Sequence, residues 1–323
     1  MTPRLKRVMI LSAIVVVVLL VVGLVTGGIG SAMLKKDSFL PKPEIHMPPQ
    51  KVFVSAAAEA PADDGHGGEG EEHSAGVVGA GDGFVLTNTM LSSWIVTLLL
   101  VVLFFAAPRR MAAVPRGLQN FVEAGMEALL SFVEGVAGPA NARRFFPLIA
   151  TIFLFVMFNA WIGLLPIYPS LGFLGDNGQI VRHLLRPAGT DLNMPLALAL
   201  TSFVFVEFWG LRLLGRHYIG KFVRLENLRR GNFAQVPIDL FVGALELLSE
   251  FVRIISFTFR LFGNMTAGEI LILVVTFLVP FVVLLPFYGL ELLVGFVQAL
   301  IFAGLTLVFV VVAVTPHGEE EHS

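Results

Sequence analysis

The sequence contains no cysteine, few charged residues and few tyrosines. Cysteine is absent from all 323 residues, and Asp, Glu, Lys and Arg together make up 14%. Without cysteine there are no disulfides, no thiol nucleophiles and no Cys-ligated metal sites. The net charge of −2 gives no indication of nucleic-acid binding. Three tyrosines against 29 phenylalanines favour apolar packing between helices or against lipid over polar recognition.

Apolar residues dominate the composition. They account for 56% of the chain, and the mean hydropathy is +0.82. These values lie outside the range of soluble domains and predict an all-α membrane protein with about five to six membrane helices. Runs of apolar residues place those helices at residues 8–26, 84–107, 147–165, 191–214, 237–278 and 287–314.

Composition also divides the chain into four parts. Residues 1–30 form a membrane anchor or a signal-like segment, and both alternatives remain open. Residues 31–83, rich in Pro, Ala, Gly and acidic side chains, predict a mostly disordered outer linker, because they bury too little apolar surface to offset chain entropy. Residues 84–315 form the membrane domain, and residues 316–323 form an acidic inner tail.

The distribution of basic residues predicts the orientation. With the N-terminus inside, 14 of the 22 Lys and Arg residues fall in inner segments, and membrane proteins concentrate positive charge on the cytoplasmic side. Both termini are therefore expected on the cytoplasmic side. We also expect the membrane to be a prokaryotic plasma (inner) membrane. Residues 115–138 predict an amphipathic helix along the inner interface.

The last two predicted helices are too long for a simple crossing. The apolar pattern from Pro237 to Leu278 covers more than 40 residues, about 60 Å of helix, whereas the hydrocarbon core is about 30 Å thick. The first of the two helices must therefore be strongly inclined, bent or partly interfacial. We expect both to pack together as an inclined hairpin.

The first long helix carries a stripe of polar residues. At ~100° per residue, five of them lie within roughly 80° of one face: Glu246, Glu250, Arg253, Arg260 and Asn264. Arg253 has an opposite charge one turn away in Glu250, whereas Arg260 has none at three or four residues. Arginine keeps its charge in lipid, where a charge is costly. The counter-charge of Arg260 must come from another helix of this chain or from a partner protein.

The run Arg260-Leu-Phe-Gly-Asn-Met-Thr-Ala-Gly-Glu269, followed by Gln298-Ala-Leu-Ile-Phe302, resembles the signature of subunit a of F-type ATP synthases. The resemblance extends over roughly residues 84–315. It implies a proton-translocating stator subunit with two offset half-channels, built on a pair of inclined helices.

The resemblance also implies roles for single residues. Arg260 matches the essential arginine that faces the carboxylates of a ring of c subunits. Asn264, Glu269 and Gln298 match polar residues around that arginine, and Glu246 matches an inner-side acid. Glu291 stands where some members have histidine, so a carboxylate would relay protons there.

From these observations we predict two proton paths and two structural residues. The outer path comprises Glu269, Glu291, Gln298 and Asn264, and the inner path comprises Glu246, Glu250 and Ser256. Arg253 and Asn159 are structural polar residues, and we expect Asn159 to hydrogen-bond between helices. The plainer alternative for each polar residue is a pairing between helices without a role in transport.

The expected partners are those of the rotary complex. They are the c-subunit ring, the peripheral-stalk b subunits, the remainder of the ATP synthase and the lipid bilayer, with no cofactor and no nucleic acid. The sequence contains no G-x-x-x-x-G-K-[ST], so the chain is not an enzyme on its own and nucleotide chemistry lies on other subunits.

Two other functions compete with this interpretation. The first is a self-contained ion channel or secondary transporter that uses Glu246, Arg260 and Glu291 as its own site. The second, an intramembrane metalloenzyme or hydrolase, lacks support because the sequence has no H-E-x-x-H, no G-x-S-x-G and no histidine in a predicted span.

Overall fold

The computed structural model describes residues 3–34, 87–106, 117–165, 171–174, 180–215, 218 and 236–315. Within these residues the chain forms seven α-helices: α1 Pro3–Thr26, α2 Gly28–Leu34, α3 Asn88–Ala106, α4 Leu118–Gly163, α5 Asn193–Leu214, α6 Val236–Leu278 and α7 Leu284–Val314. Two short strands, β1 Gly172–Leu174 and β2 Ile180–His183, pair in antiparallel fashion between α4 and α5. This hairpin was not predicted from the sequence.

Five of these helices are long and apolar enough to cross a membrane: Asn88–Ala106, Gln119–Gly163, Asn193–Leu214, Pro237–Leu278 and Phe281–Val314. A shorter apolar helix, Ile10–Thr26, precedes them. Large apolar side chains such as Leu98 and Leu247, each 64% exposed, cover the outside, as expected of helices that face lipid. The prediction of an all-α membrane protein is confirmed.

Two predicted segments lie mainly outside the described residues. Of the linker predicted at 31–83, only residues 31–34 are described, and they form the end of α2. The rest of the linker and the tail at 316–323 lie outside the described part of the chain.

Helix α4 contains a sharp break. Gly138 has φ 73 and ψ 158, so two helical segments meet there. Glycine adopts this backbone conformation at little cost, and the next residue, Pro139, is well suited to a first helical turn. The first segment corresponds to the predicted amphipathic helix. It buries Leu129 and Val133, whereas Phe121 is 71% exposed. Its position at the membrane interface remains a prediction.

The chain divides into two compact units. Unit 1 comprises residues 1–94, 160–191 and 265–294. Within it, α1 packs on the turn that follows α6. A Cβ atom at Gly23 would lie 2.3 Å from the Pro280 carbonyl oxygen, and one at Gly27 would lie 2.2 Å from the Leu278 carbonyl oxygen. Both positions must therefore be glycine for the helix to reach the turn this closely.

Unit 2 comprises residues 95–159, 192–264 and 295–323. Its core contains edge-to-face contacts of Phe145 with Phe205 and Trp209, with ring centroids 6.1 and 5.5 Å apart. On α6 and α7, Phe257 lies against Phe302, with centroids 4.9 Å apart. Such aromatic pairs add to the stabilisation gained from burial alone.

The two long helices run antiparallel. In unit 2, Arg253 of α6 contacts Phe309 of α7, and Asn264 further along α6 contacts Gln298. As the residue number rises on one helix it therefore falls on the other. This arrangement confirms the predicted hairpin of long helices, while their inclination in the membrane remains a prediction.

Candidate functional site

Arg260 lies on α6 in unit 2 and is partly exposed. Its Cζ atom lies 5.9 Å from the centroid of the Phe257 ring, a distance at the limit of a cation–π contact. No carboxylate among the described residues lies within salt-bridge distance of its guanidinium. Its neighbours Ser256 and Asn264, one turn away on either side, are exposed as well.

The second arginine of the helix is neutralised locally. Arg253 Nη1 lies 2.6 Å from Glu250 Oε2, and the two side chains are 20% and 5% exposed. The guanidinium also lies 3.8 Å above the Phe309 ring, where the electron-rich face attracts a cation. The ion pair predicted from the spacing is confirmed. Glu250 is thereby committed to a fixed partner, whereas Glu246 of the predicted inner path is half-buried.

A hydrogen bond between two amide side chains joins α6 to α7 one turn after Arg260. Asn264 Nδ2 donates to Gln298 Oε1 at 2.6 Å. Gln298 is 2% exposed, and its Nε2 has no hydrogen-bond partner among the described residues. A buried donor without a partner is costly. The bond to Asn264 is the contact that holds this buried amide between the two helices.

The two carboxylates of the predicted outer path both belong to unit 1. Glu269 Oε2 accepts a hydrogen bond from Arg186 Nη2 at 3.1 Å. Glu291, on α7, lies directly against the α6 backbone, because a Cβ atom at Gly268 would come within 2.2 Å of its Oε2. The absence of a side chain at residue 268 is what makes room for this carboxylate.

Within the described residues, Asn159 does not form the predicted bond between helices. Its Nδ2 donates to the Phe155 carbonyl oxygen at 2.8 Å, one turn back on the same helix. Its Oδ1 has no partner in the part of the chain that the structure describes. That prediction was wrong, because a short amide side chain within a helix reaches the backbone of its own preceding turn.

Several polar contacts of unit 2 were not predicted. The buried Tyr218 hydroxyl donates to Glu207 Oε1 at 3.0 Å, and burial, reinforced by the negative charge of Glu207, raises the pKa of Tyr218. The hydroxyls of Ser202 and Thr306 lie 2.7 Å apart. Ser202 and Arg253 also line a cavity of about 10 Å³, roughly the volume that one water molecule needs. These contacts join residues of different elements, which helical spacing does not reveal.

The described site residues are suited to moving protons. Carboxylates take up and release protons, whereas arginine keeps its charge throughout. Within the described residues, no three His, Cys, Asp or Glu side chains cluster as a metal site would require. The carboxylates can be protonated reversibly, and the arginines supply fixed positive charges.

The comparisons with known proteins agree with one another. A family model described as ATP synthase A chain matches residues 90–311. ATP synthase subunit a of Gloeobacter violaceus is 36% identical over 232 residues, which cover 72% of this chain and 85% of that protein. The subunit a of Geobacter sp. strain M21 is 34% identical, and that of Citrifermentans bemidjiense is 33% identical. Each of these two matches covers 69% of this chain and 86% of the relative.

Proposed function

Because the chain belongs to the ATP synthase A chain family, we propose that it is the proton-translocating stator subunit of a rotary F-type ATP synthase. The family and the five long apolar helices make it an integral, multi-pass membrane protein. The proposal adds two offset half-channels and an essential role for Arg260. The observation that carries it is a partly exposed Arg260 with no carboxylate partner among the described residues.

An apolar face of α6 next to Arg260 supports contact with a partner. Val252, Ile255 and Phe259 are 53%, 39% and 58% exposed and share one helix face with Gly263. Arg260 projects about 80° away from Val252 at ~100° per residue, so it lies at the edge of this face. Lipid would cover the apolar side chains equally well, but it offers no carboxylate for the arginine. A ring of apolar helices that bears carboxylates, such as the c-subunit ring, satisfies both.

In the proposed mechanism, a proton enters from outside past Glu291 and Glu269 and neutralises a carboxylate on the ring. A neutral carboxyl group crosses lipid far more cheaply than an ionised one. After the ring has turned, the same group meets the inner half-channel near Glu246, and Arg260 favours its ionised form. The proton then leaves, and the fixed charge of Arg260 blocks direct leakage between the two half-channels.

The energetics require several protons for each nucleotide made. Moving one charge through ~100 mV yields about 2.3 kcal/mol. The stator therefore has to be coupled to a ring that adds the energy of several proton transfers. We therefore propose the c ring, the peripheral-stalk b subunits and the remainder of the ATP synthase as partners, with ATP chemistry on other subunits. The excess of Lys and Arg in the predicted inner segments supports an orientation with both termini in the cytoplasm. We propose a prokaryotic plasma membrane as the location.

Replacement of Arg260 tests the proposal. We expect Arg260→Ala to abolish ATP-driven proton pumping in inverted membrane vesicles, while the subunit still assembles into the complex. Arg212→Ala is a matched control, because Arg212 also lies over an aromatic ring, at 5.7 Å from the Phe208 centroid. The control should pump normally. Normal pumping by Arg260→Ala would overturn the assignment.

The competing transporter function makes a different prediction. A self-contained channel or transporter would carry protons when the purified chain alone is reconstituted into vesicles. The stator should carry none until ring subunits are added. Identification of the proteins that accompany the chain after gentle purification completes the test, since a small subunit in many copies with a buried acid is expected.

A further inference from the structure

Unit 1 contains an ion pair between a residue of the run 260–269 and a residue outside that run. Arg186 Nη2 and Glu269 Oε2 are 3.1 Å apart, and the side chains are 10% and 27% exposed. The two residues are 83 positions apart in the sequence. Helical spacing gives no indication of this partner for Arg186. The structure instead places it on a proposed proton carrier.

The connector between β2 and α5 holds Arg186 firmly in place. The Arg186 backbone N–H donates to Ser92 Oγ of α3 at 3.2 Å, and Ser92 Oγ donates to the Asn88 carbonyl oxygen at 3.0 Å. Three residues further on, a Cβ atom at Gly189 would lie only 2.7 Å from Met265 Cγ of α6. The glycine thus lets the connector lie directly on α6, one turn before the carboxylate.

Two further carboxylates belong to this unit. Glu291 lies against the backbone of α6 at Gly268, immediately before Glu269. Asp191, at the end of the connector, accepts a hydrogen bond from Thr89 Oγ1 at 2.8 Å. Of the three carboxylates, Glu269 contacts the Arg186 guanidinium, so the positive charge offsets its negative charge.

We propose that Arg186 is a positioning residue of the outer proton path, which rests on the proposed function because it takes Glu269 as a carrier. When Glu269 passes its proton to the ring carboxylate, its own carboxylate becomes negative. Arg186 keeps its proton, offsets that charge and holds the carboxylate at its place until a proton from the outer water reprotonates it. The cation thereby keeps the carrier at a fixed position through both halves of the cycle.

The test compares Arg186→Gln with Arg186→Lys in the intact complex. We expect Arg186→Gln to slow ATP-driven pumping by about tenfold, less than the roughly hundredfold typical of losing a positioned proton carrier itself, because Glu269 remains. Arg186→Lys keeps the charge and should retain most of the rate. If Arg186→Gln does not assemble, Arg186→Lys decides: near-normal pumping supports the role, and a tenfold loss overturns it.

A second measurement separates positioning from mere support of the loop. Glu269→Gln removes the group on which Arg186 acts, so Arg186→Gln should cause little further loss in that background. Multiplied losses in the double variant would overturn the inference, as would normal pumping by Arg186→Gln or by Glu269→Gln. None of these results changes the outcome expected for Arg260→Ala. The proposed function and this inference therefore fail by different experiments.

Discussion

Gly268 offers a direct test of the outer proton path. A Cβ atom there would lie 2.2 Å from Glu291 Oε2, whereas ordinary contact begins at 3.4 Å. Gly268→Ala must therefore displace the carboxylate by about 1.2 Å, the difference between these two distances. Misplacing a reacting group by about 1 Å costs on the order of a hundredfold in rate. We expect proton uptake from the outer side to fall by about that factor.

The assay is ATP-driven acidification of inverted vesicles, together with passive proton flux after removal of the nucleotide-binding part. Gly289→Ala is the matched control, because Gly289 lies on α7 with nothing within 4 Å of the position that a methyl group would occupy. In both variants alanine favours the helix over glycine by about 1 kcal/mol per residue. The two variants therefore differ mainly in the contact with Glu291. Equal rates for the two variants would refute the reasoning. In the Gly268→Ala background, the shorter Glu291→Asp side chain should restore part of the flux.

Two further predictions concern unit 2. Glu250→Gln leaves Arg253 without its charged partner, so the chain should lose about 3 kcal/mol of stability, the low end for a broken buried ion pair. The melting temperature of this variant should be lower than that of the control variant Glu246→Gln. Equal melting temperatures would contradict the prediction. Burial beside Glu207 raises the pKa of Tyr218, so the stability that this tyrosine contributes is complete below about pH 10, its ordinary pKa, and is lost as the pH rises through the folded value. Tyr218→Phe should flatten the alkaline fall in melting temperature, and an unchanged fall would contradict the assignment.

The sequence was sufficient to predict what depends on local pattern. Apolar runs long enough to cross a bilayer predicted the spans, because membrane helices satisfy their own backbone hydrogen bonds. The pair of Glu250 and Arg253 follows from three-residue spacing on one helix. The resemblance carried by Arg260 to Glu269 identified the family, and the comparisons agree with it.

Contacts between distant segments could not be predicted from the spacing of residues along one helix. Arg186 finds Glu269 across 83 residues, and nothing in the loop sequence indicates which helix the connector will cover. The Ser202 and Thr306 hydroxyls meet across 104 residues for the same reason. Asn159 shows the opposite case, since a partner was expected on another helix and the side chain bonds to its own backbone.

The glycines of the N-terminal helix have a consequence for protein engineering. The family match begins at residue 90, yet Gly23 and Gly27 leave no space for a side chain against Pro280 and Leu278. A chimera that replaces α1 by a foreign helix would need small residues at the positions of Gly23 and Gly27. Larger residues there would displace the loop that follows α6. Natural variants that acquire bulk at either glycine should carry a compensating change in that loop.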